Sequence, residues 1–180
     1  MFTLAITAHH EAAHTVVLYR MMGVAEYVSI VSNVTTSVDG EVSRILGHTS
    51  DTGYSDSFDA AHMEARVLSC YAGGHAQRRC DPSLGDEGCD IDDAIAADVL
   101  RDWAWERREQ EFRDRSGALV DQYWPEIVAV ANELLRMSTL DCEEVQLIAD
   151  AAAGPAEFIF GDLETDLAQY RKLRGPLQDG

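Results

Sequence analysis

Residues 4–22 carry an apolar pattern of helical period, and inside that run His10-Glu11-Ala12-Ala13-His14 sets two imidazoles four residues apart. Positions i and i+4 lie on one helical face, so both rings can converge on a single metal ion. Zinc (Zn2+) suits such a pair, because it accepts neutral nitrogen ligands tetrahedrally with bonds of about 2.0–2.1 Å. Glu11, one residue along, lies beside the metal rather than on it, where its carboxylate can take a proton from an attacking water. Gly23 is a natural stop for this helix.

The rest of the chain reads as mainly helical with one small β-sheet, an α+β arrangement. Residues 26–34 (EYVSIVSNV) are rich in β-branched side chains and predict a strand. Asp39-Gly40 signals a hairpin turn, followed by a second strand over 41–48 (EVSRILGH). A helix is expected over 58–80, loosened or broken by Gly73-Gly74, and then a loop over 81–89 (DPSLGDEGC). A long helix is expected over 90–115, ended by Ser116-Gly117, with another over 118–137. Asp141, with Glu144 three residues later, is the expected N-cap of a short helix that Gly154-Pro155 terminates. These residues divide the chain into a domain over 1–153 and an extension over 154–180, with a loosely attached helix at 162–174.

Charge excludes several functions. Fourteen basic against 32 acidic side chains give −18, so no cationic footprint for nucleic acid exists and an anionic membrane surface would repel the chain. No stretch approaches the length of a membrane span, so no membrane insertion is expected. The sole lysine is Lys172 and no phosphate-binding G-x-x-x-x-G-K-[ST] loop is present. The N-terminal segment has no basic region, so a secretory leader is not expected. Cys70, Cys80, Cys89 and Cys142 form no C-x-x-C pair and read as reduced thiols of a cytoplasmic protein.

A catalytic zinc needs a third protein ligand. The metzincin pattern requires glycine and histidine where this chain has Val17 and Arg20. A thermolysin-like glutamate is also missing, because nothing acidic lies between Glu26 and Asp39. His48, His62, His75 and the acids at 90–93 remain as candidates.

The chain resembles the peptidase domain of FtsH, the membrane-bound AAA zinc protease. Residues 7–17 are similar to that family's H-E-A-G-H helix, with Ala13 in place of its glycine. Val28-Ser29-Ile30 and Leu46-Gly47-His48-Thr49 resemble its strand pair and L-G-x-T element, and Tyr71-Ala72-Gly73-Gly74-His75-Ala76 its A-G-R-x-A-E-E segment. Gly88-Cys89-Asp90-Ile91-Asp92-Asp93-Ala94 resembles its G-A-x-N-D-x-x-x-A segment, with Ile91 in place of asparagine. The resemblance covers residues 6–150 and implies a zincin-like fold. It also implies zinc on His10, His14 and Asp92, with Asp90 and Asp93 as alternatives for the third ligand, and Glu11 as general base.

In activity, the resemblance implies a metalloendopeptidase. Its substrate would lie beside Leu46, Gly47, His48 and Thr49 by strand addition to the sheet edge, unless that hairpin merely covers the first helix. Lacking a motor of its own, the chain is expected to cut peptides or unfolded protein, with a separate ATPase chain as a partner by analogy. Assembly into a homo-oligomer is a family property, which at −18 would need a sizeable apolar contact. Two other readings stand beside it. One is a non-catalytic, zinc-stabilised interaction module with a vestigial motif, for which Trp103, Trp105 and Trp124 would supply a helical interface. The other is a metal hydrolase acting on something other than peptides.

Overall fold

In the computed structural model, which describes residues 3–23, 27–31, 33–36, 42–45, 48–50, 59–154 and 158–176 (backbone alone in 33–36, 42–45 and 48–50), the first helix is the centre of the molecule. Helix α1 (Leu4–Met22) is buried on nearly all sides from Ile6 to Val17, with Ala8, Ala12, Ala13, Val16 and Val17 fully enclosed. Enclosed on every side, it has no solvent-facing polar stripe, so its apolar residues are spread round the helix, with Thr7, His10, Glu11, His14 and Thr15 buried among them, rather than gathered on the one face that a periodic pattern predicts. Thr3 caps its start by accepting the Ile6 N–H at 3.3 Å. Gly23, at φ 75°, ends it as expected, donating its N–H to Tyr19 O at 2.7 Å.

Helix α2 (Ala60–Cys80) packs along α1 and runs unbroken through Gly73-Gly74, contrary to the expected interruption. Each glycine costs about 1 kcal/mol of helix propensity relative to alanine. Tertiary packing offsets that cost, because both glycines sit where another element approaches the α2 backbone. A Cβ at Gly74 would stand 3.0 Å from Cys89 Sγ, and Gly73 faces the α1 histidines.

The expected long helix over 90–115 is divided elsewhere. Helix α3 (Asp90–Asp102) stops at a turn in which Ala104 takes φ 55°, a 3-10 turn comes next at Glu106–Arg108, and α4 (Glu109–Gln122) continues straight through Ser116-Gly117. Ser116 is buried and donates its hydroxyl to Leu68 O on α2 at 2.8 Å. A Cβ at Gly117 would meet the His75 ring at 3.1 Å. These small residues bring α4 onto α2 rather than end it. The actual boundary falls at Tyr123, ahead of α5 (Trp124–Met137), where Pro125 in the first turn disfavours continuation of the preceding helix.

Helix α6 (Cys142–Ala153) starts with the expected capping box, Asp141 and Glu144 exchanging two 3.0 Å bonds with each other's backbone N–H. Helix α7 (Leu163–Arg174) is clasped to α6 rather than loosely attached. Leu167 is buried, Arg171 pairs with Glu144 and with Glu133 (2.9 Å), and Arg174 reaches Asp141 and Glu144. The Tyr170 hydroxyl donates to Asp141 at 2.9 Å.

The β-structure is small and split. Strand β1 (Tyr27–Ser29) pairs antiparallel with β4 (His48–Ser50) on one side and with β5 (Thr139–Leu140) on the other, giving the order β4-β1-β5. Strands β2 (Asn33–Thr36) and β3 (Val42–Ile45) form a separate antiparallel pair. The expected strands over 26–34 and 41–48 thus each divide in two, because the register of β2 with β3 is shifted by one residue from that of β1 with β4. Asp39-Gly40 lies outside the described residues, between β2 and β3. Strand β5 is too short to announce itself in sequence.

Candidate metal centre

His10 and His14 project from α1 with ring centroids 4.6 Å apart at 75°. Both are buried, as is Glu11 at 7% exposed. The first turn of α3 brings the third group: Asp92 Oδ2 lies 3.1 Å from His10 Nε2 and 3.4 Å from His14 Nε2. Beneath them runs α2. His14 Nδ1 lies 2.7 Å from Ser69 O, and since a carbonyl only accepts, Nδ1 carries a proton. Nε2 faces Asp92, toward which it directs a second proton when the ring is charged and from which its lone pair is free for a metal when the ring is neutral. The Ser69 hydroxyl returns a bond to His14 O at 3.0 Å, fixing the helices to each other at this point.

His10 is held differently. Its Nδ1 is buried with no hydrogen-bond partner among the described residues, so a single proton on this ring is best placed on Nε2, donated to Asp92. Turning Nε2 to a metal moves that proton to Nδ1, so His10 is the ligand with the weaker outer support.

The electrostatics join His14 to Asp92. Burial alone would depress the His14 pKa, but the Asp92 carboxylate, with a further contribution from Glu11, outweighs it and pushes His14 up to about 9. Burial likewise opposes ionisation of Asp92, and the two histidines overcome it, holding the carboxyl well below the usual carboxylate range. Without a metal, a proton therefore supplies the positive charge that this carboxylate faces.

The donor set suits a divalent cation. Two imidazole nitrogens and one carboxylate oxygen lie within 4.8 Å of one another. A tetrahedral zinc with bonds of about 2.0–2.1 Å has ligand-to-ligand edges of about 3.3–3.4 Å, close to the two separations here. Space has been left for an ion as well: a Cβ at Gly73 would stand 2.5 Å from His14 Nε2 and 2.6 Å from His10 Nε2, inside the volume on which both nitrogens converge. The His10, His14 and Asp92 cluster can hold a metal ion.

The neighbouring candidates are engaged elsewhere. Asp93 pairs with Arg113 at 3.1 Å, and Asp90 is exposed. His62 lies in the first turn of α2, where its backbone N–H donates to the Asp59 cap, and His75 packs against Gly117 of α4. His48 and Thr49 pair with Ser29 and Val28 across β1, while Leu46 and Gly47 lie outside the described residues. Sequence reasoning missed Ser69, whose carbonyl orients His14. Gly73-Gly74, an expected break within a helical pattern, instead marks the close approach of other elements to α2. All four cysteines are free thiols. No described helix is long and apolar enough to cross a membrane.

Compared with known proteins, the chain matches no family model, and no curated protein is significantly similar to it.

Proposed function

We propose that this chain is a zinc metallopeptidase with a zincin-like, FtsH-type peptidase core, hydrolysing peptide bonds of unstructured polypeptides. The observation that supports the reading is the convergence of His10 Nε2, His14 Nε2 and Asp92 Oδ2, with Glu11 buried between the two histidines in sequence. His10, His14 and Asp92 would hold the ion. Two neutral imidazoles and one carboxylate neutralise only part of a divalent charge, so the site keeps a net positive charge for an electrophilic role. Bound there, zinc supplies Lewis-acid polarisation of the scissile carbonyl and acidifies a water. Glu11 takes the proton from the attacking water on its carboxylate and returns it to the leaving amine nitrogen.

Substrate binding accords with the sheet order. Among the described residues β4 is an edge strand with its outer side unpaired, and it lies against α1. An extended peptide adding to that edge would run beside His48 and Thr49. The reading carries with it a cytoplasmic setting, no nucleic-acid partner, and either unfolded substrates or a separate ATPase chain to deliver folded ones.

Elemental analysis after dialysis, paired with hydrolysis of unstructured fluorogenic peptides, tests it. Wild type and Glu11→Gln should each hold one zinc per chain, Asp92→Ala should lose it, and only wild type should cleave. A wild type that stays empty after zinc supplementation ends the reading. A zinc-loaded wild type inert toward every peptide would leave the interaction-module or non-peptide hydrolase alternatives.

A further inference from the structure

The third ligand stands on a helix whose start has no capping side chain: Cys89, at the N-cap of α3, makes no such bond. Asp92 and Asp93 are consecutive and point about 100° apart around the helix axis. Asp92 therefore faces α1 while Asp93 faces α4, so a grip on Asp93 acts with the buried Ala96 and Leu100 of the same helix on the rotation of α3. With side chains ending about 5–6 Å from the axis, a 10° rotation moves a carboxylate by about 1 Å. A metal bond tolerates only about 0.2 Å.

Asp93 is gripped by Arg113. The guanidinium lies 3.1 Å from Asp93 Oδ1 and 3.0 Å from Glu109 Oε1 on its own helix, and its carbon sits 4.1 Å from the centroid of the Tyr71 ring. Tyr71 is buried on α2 between Ser69, which orients His14, and Gly73, which leaves space below both histidines. Arg113 thus ties α3 to the stretch of α2 that supports the α1 ligands. On the other side of Asp92, Cys89 Sγ seats against Gly74, and Gln77 donates to Gly85 O (3.3 Å) and Glu87 O (2.8 Å) of the preceding loop.

We infer that Arg113 is a positioning residue of the metal centre, holding Asp92 in ligating position through its grip on Asp93. This rests on the reading of the cluster as a zinc site. Residues that orient a ligand from outside the coordination sphere typically change metal affinity by about 10–100-fold when removed. The test measures zinc dissociation constants by chelator competition, alongside thermal melting of the metal-free protein, for wild type, Asp93→Asn, Arg113→Met, the double variant and Arg113→Lys. Asp93→Asn keeps volume at a partly exposed position and should fold normally.

Expected are at least tenfold weaker zinc binding in Asp93→Asn and Arg113→Met, a double variant no weaker than the singles, and partial recovery in Arg113→Lys. The cobalt-substituted absorption spectrum of the two single variants should also depart from that of wild type. Zinc affinity within twofold of wild type in Asp93→Asn overturns the inference, as does an effect confined to the melting temperature. A wild type that binds no zinc removes the site itself, a separate outcome from variants that bind as wild type does.

Discussion

Gly73→Ala gives the most direct test of the space inside the metal centre. The added methyl would lie 2.5 Å from His14 Nε2, 2.6 Å from His10 Nε2 and 2.7 Å from His10 Cε1. Ordinary contact needs about 3.5 Å, so two rings must each retreat by about 1 Å. Neither has free room: His14 is held at Nδ1 by Ser69 O, and both rings are buried. Overpacking of this kind costs about 1–3 kcal/mol. Alanine returns about 0.8–1.0 kcal/mol of helix propensity on α2, so the net loss of stability should be at most about 2 kcal/mol, and the metal-free variant should fold.

Zinc binding should suffer far more, because a 1 Å displacement is about five times the tolerance of a metal bond. We expect at least about 100-fold weaker affinity, equivalent to about 2.7 kcal/mol. Melting with and without zinc reads this out. At a concentration 100 times its dissociation constant, zinc stabilises wild type by about 2.7 kcal/mol, while the variant should show almost no shift. Gly117→Ala is the matched control, making the same helical gain with a milder 3.1 Å contact to His75 and no ligand displaced. A Gly73→Ala protein that binds zinc as tightly as wild type would falsify the view that this glycine keeps the coordination space open.

The same structure makes pH and α7 informative as well. His14 has a folded-state pKa of about 9 against 6.5 when unfolded, so in chelator its contribution to stability is full below about pH 6.5 and disappears as the pH rises through 9. Melting temperature should fall over that window, and zinc affinity should rise over it by up to about tenfold per pH unit as the competing proton leaves; a flat affinity profile would show that His14 is not a ligand. Arg171→Met should cost about 3 kcal/mol in denaturant unfolding, since Glu144 is only 1% exposed and loses one of its two cations. An unchanged midpoint would mean that the Arg171 pairs contribute nothing to stability.

Local signals located much of the helical framework. The span of α1 and its Gly23 stop, the capping box of α6, and the loop before α3 all depend on residues within a few positions of one another. The ladder of β1 with β5 was invisible, because Val28 pairs with Leu140 more than a hundred residues away and β5 has only two residues. Ser116-Gly117 and Gly73-Gly74 misled in the same way. Small residues weaken an isolated helix, and only the arrival of His75, Cys89 or the α1 histidines against them turns that weakness into close packing.

The two histidines and Glu11 were legible because the helical repeat alone puts positions 10 and 14 on one face. Among Asp90, Asp92 and Asp93, residue spacing leaves the choice open, and family likeness could only favour one. Tertiary structure separates them by rotation: Arg113 draws Asp93 toward α4, Asp90 faces solvent, and Asp92 comes within 3.4 Å of both imidazoles. A helix determines its own face through hydrogen bonds four residues apart, whereas its rotation against a neighbour is set by side chains that the sequence keeps far away.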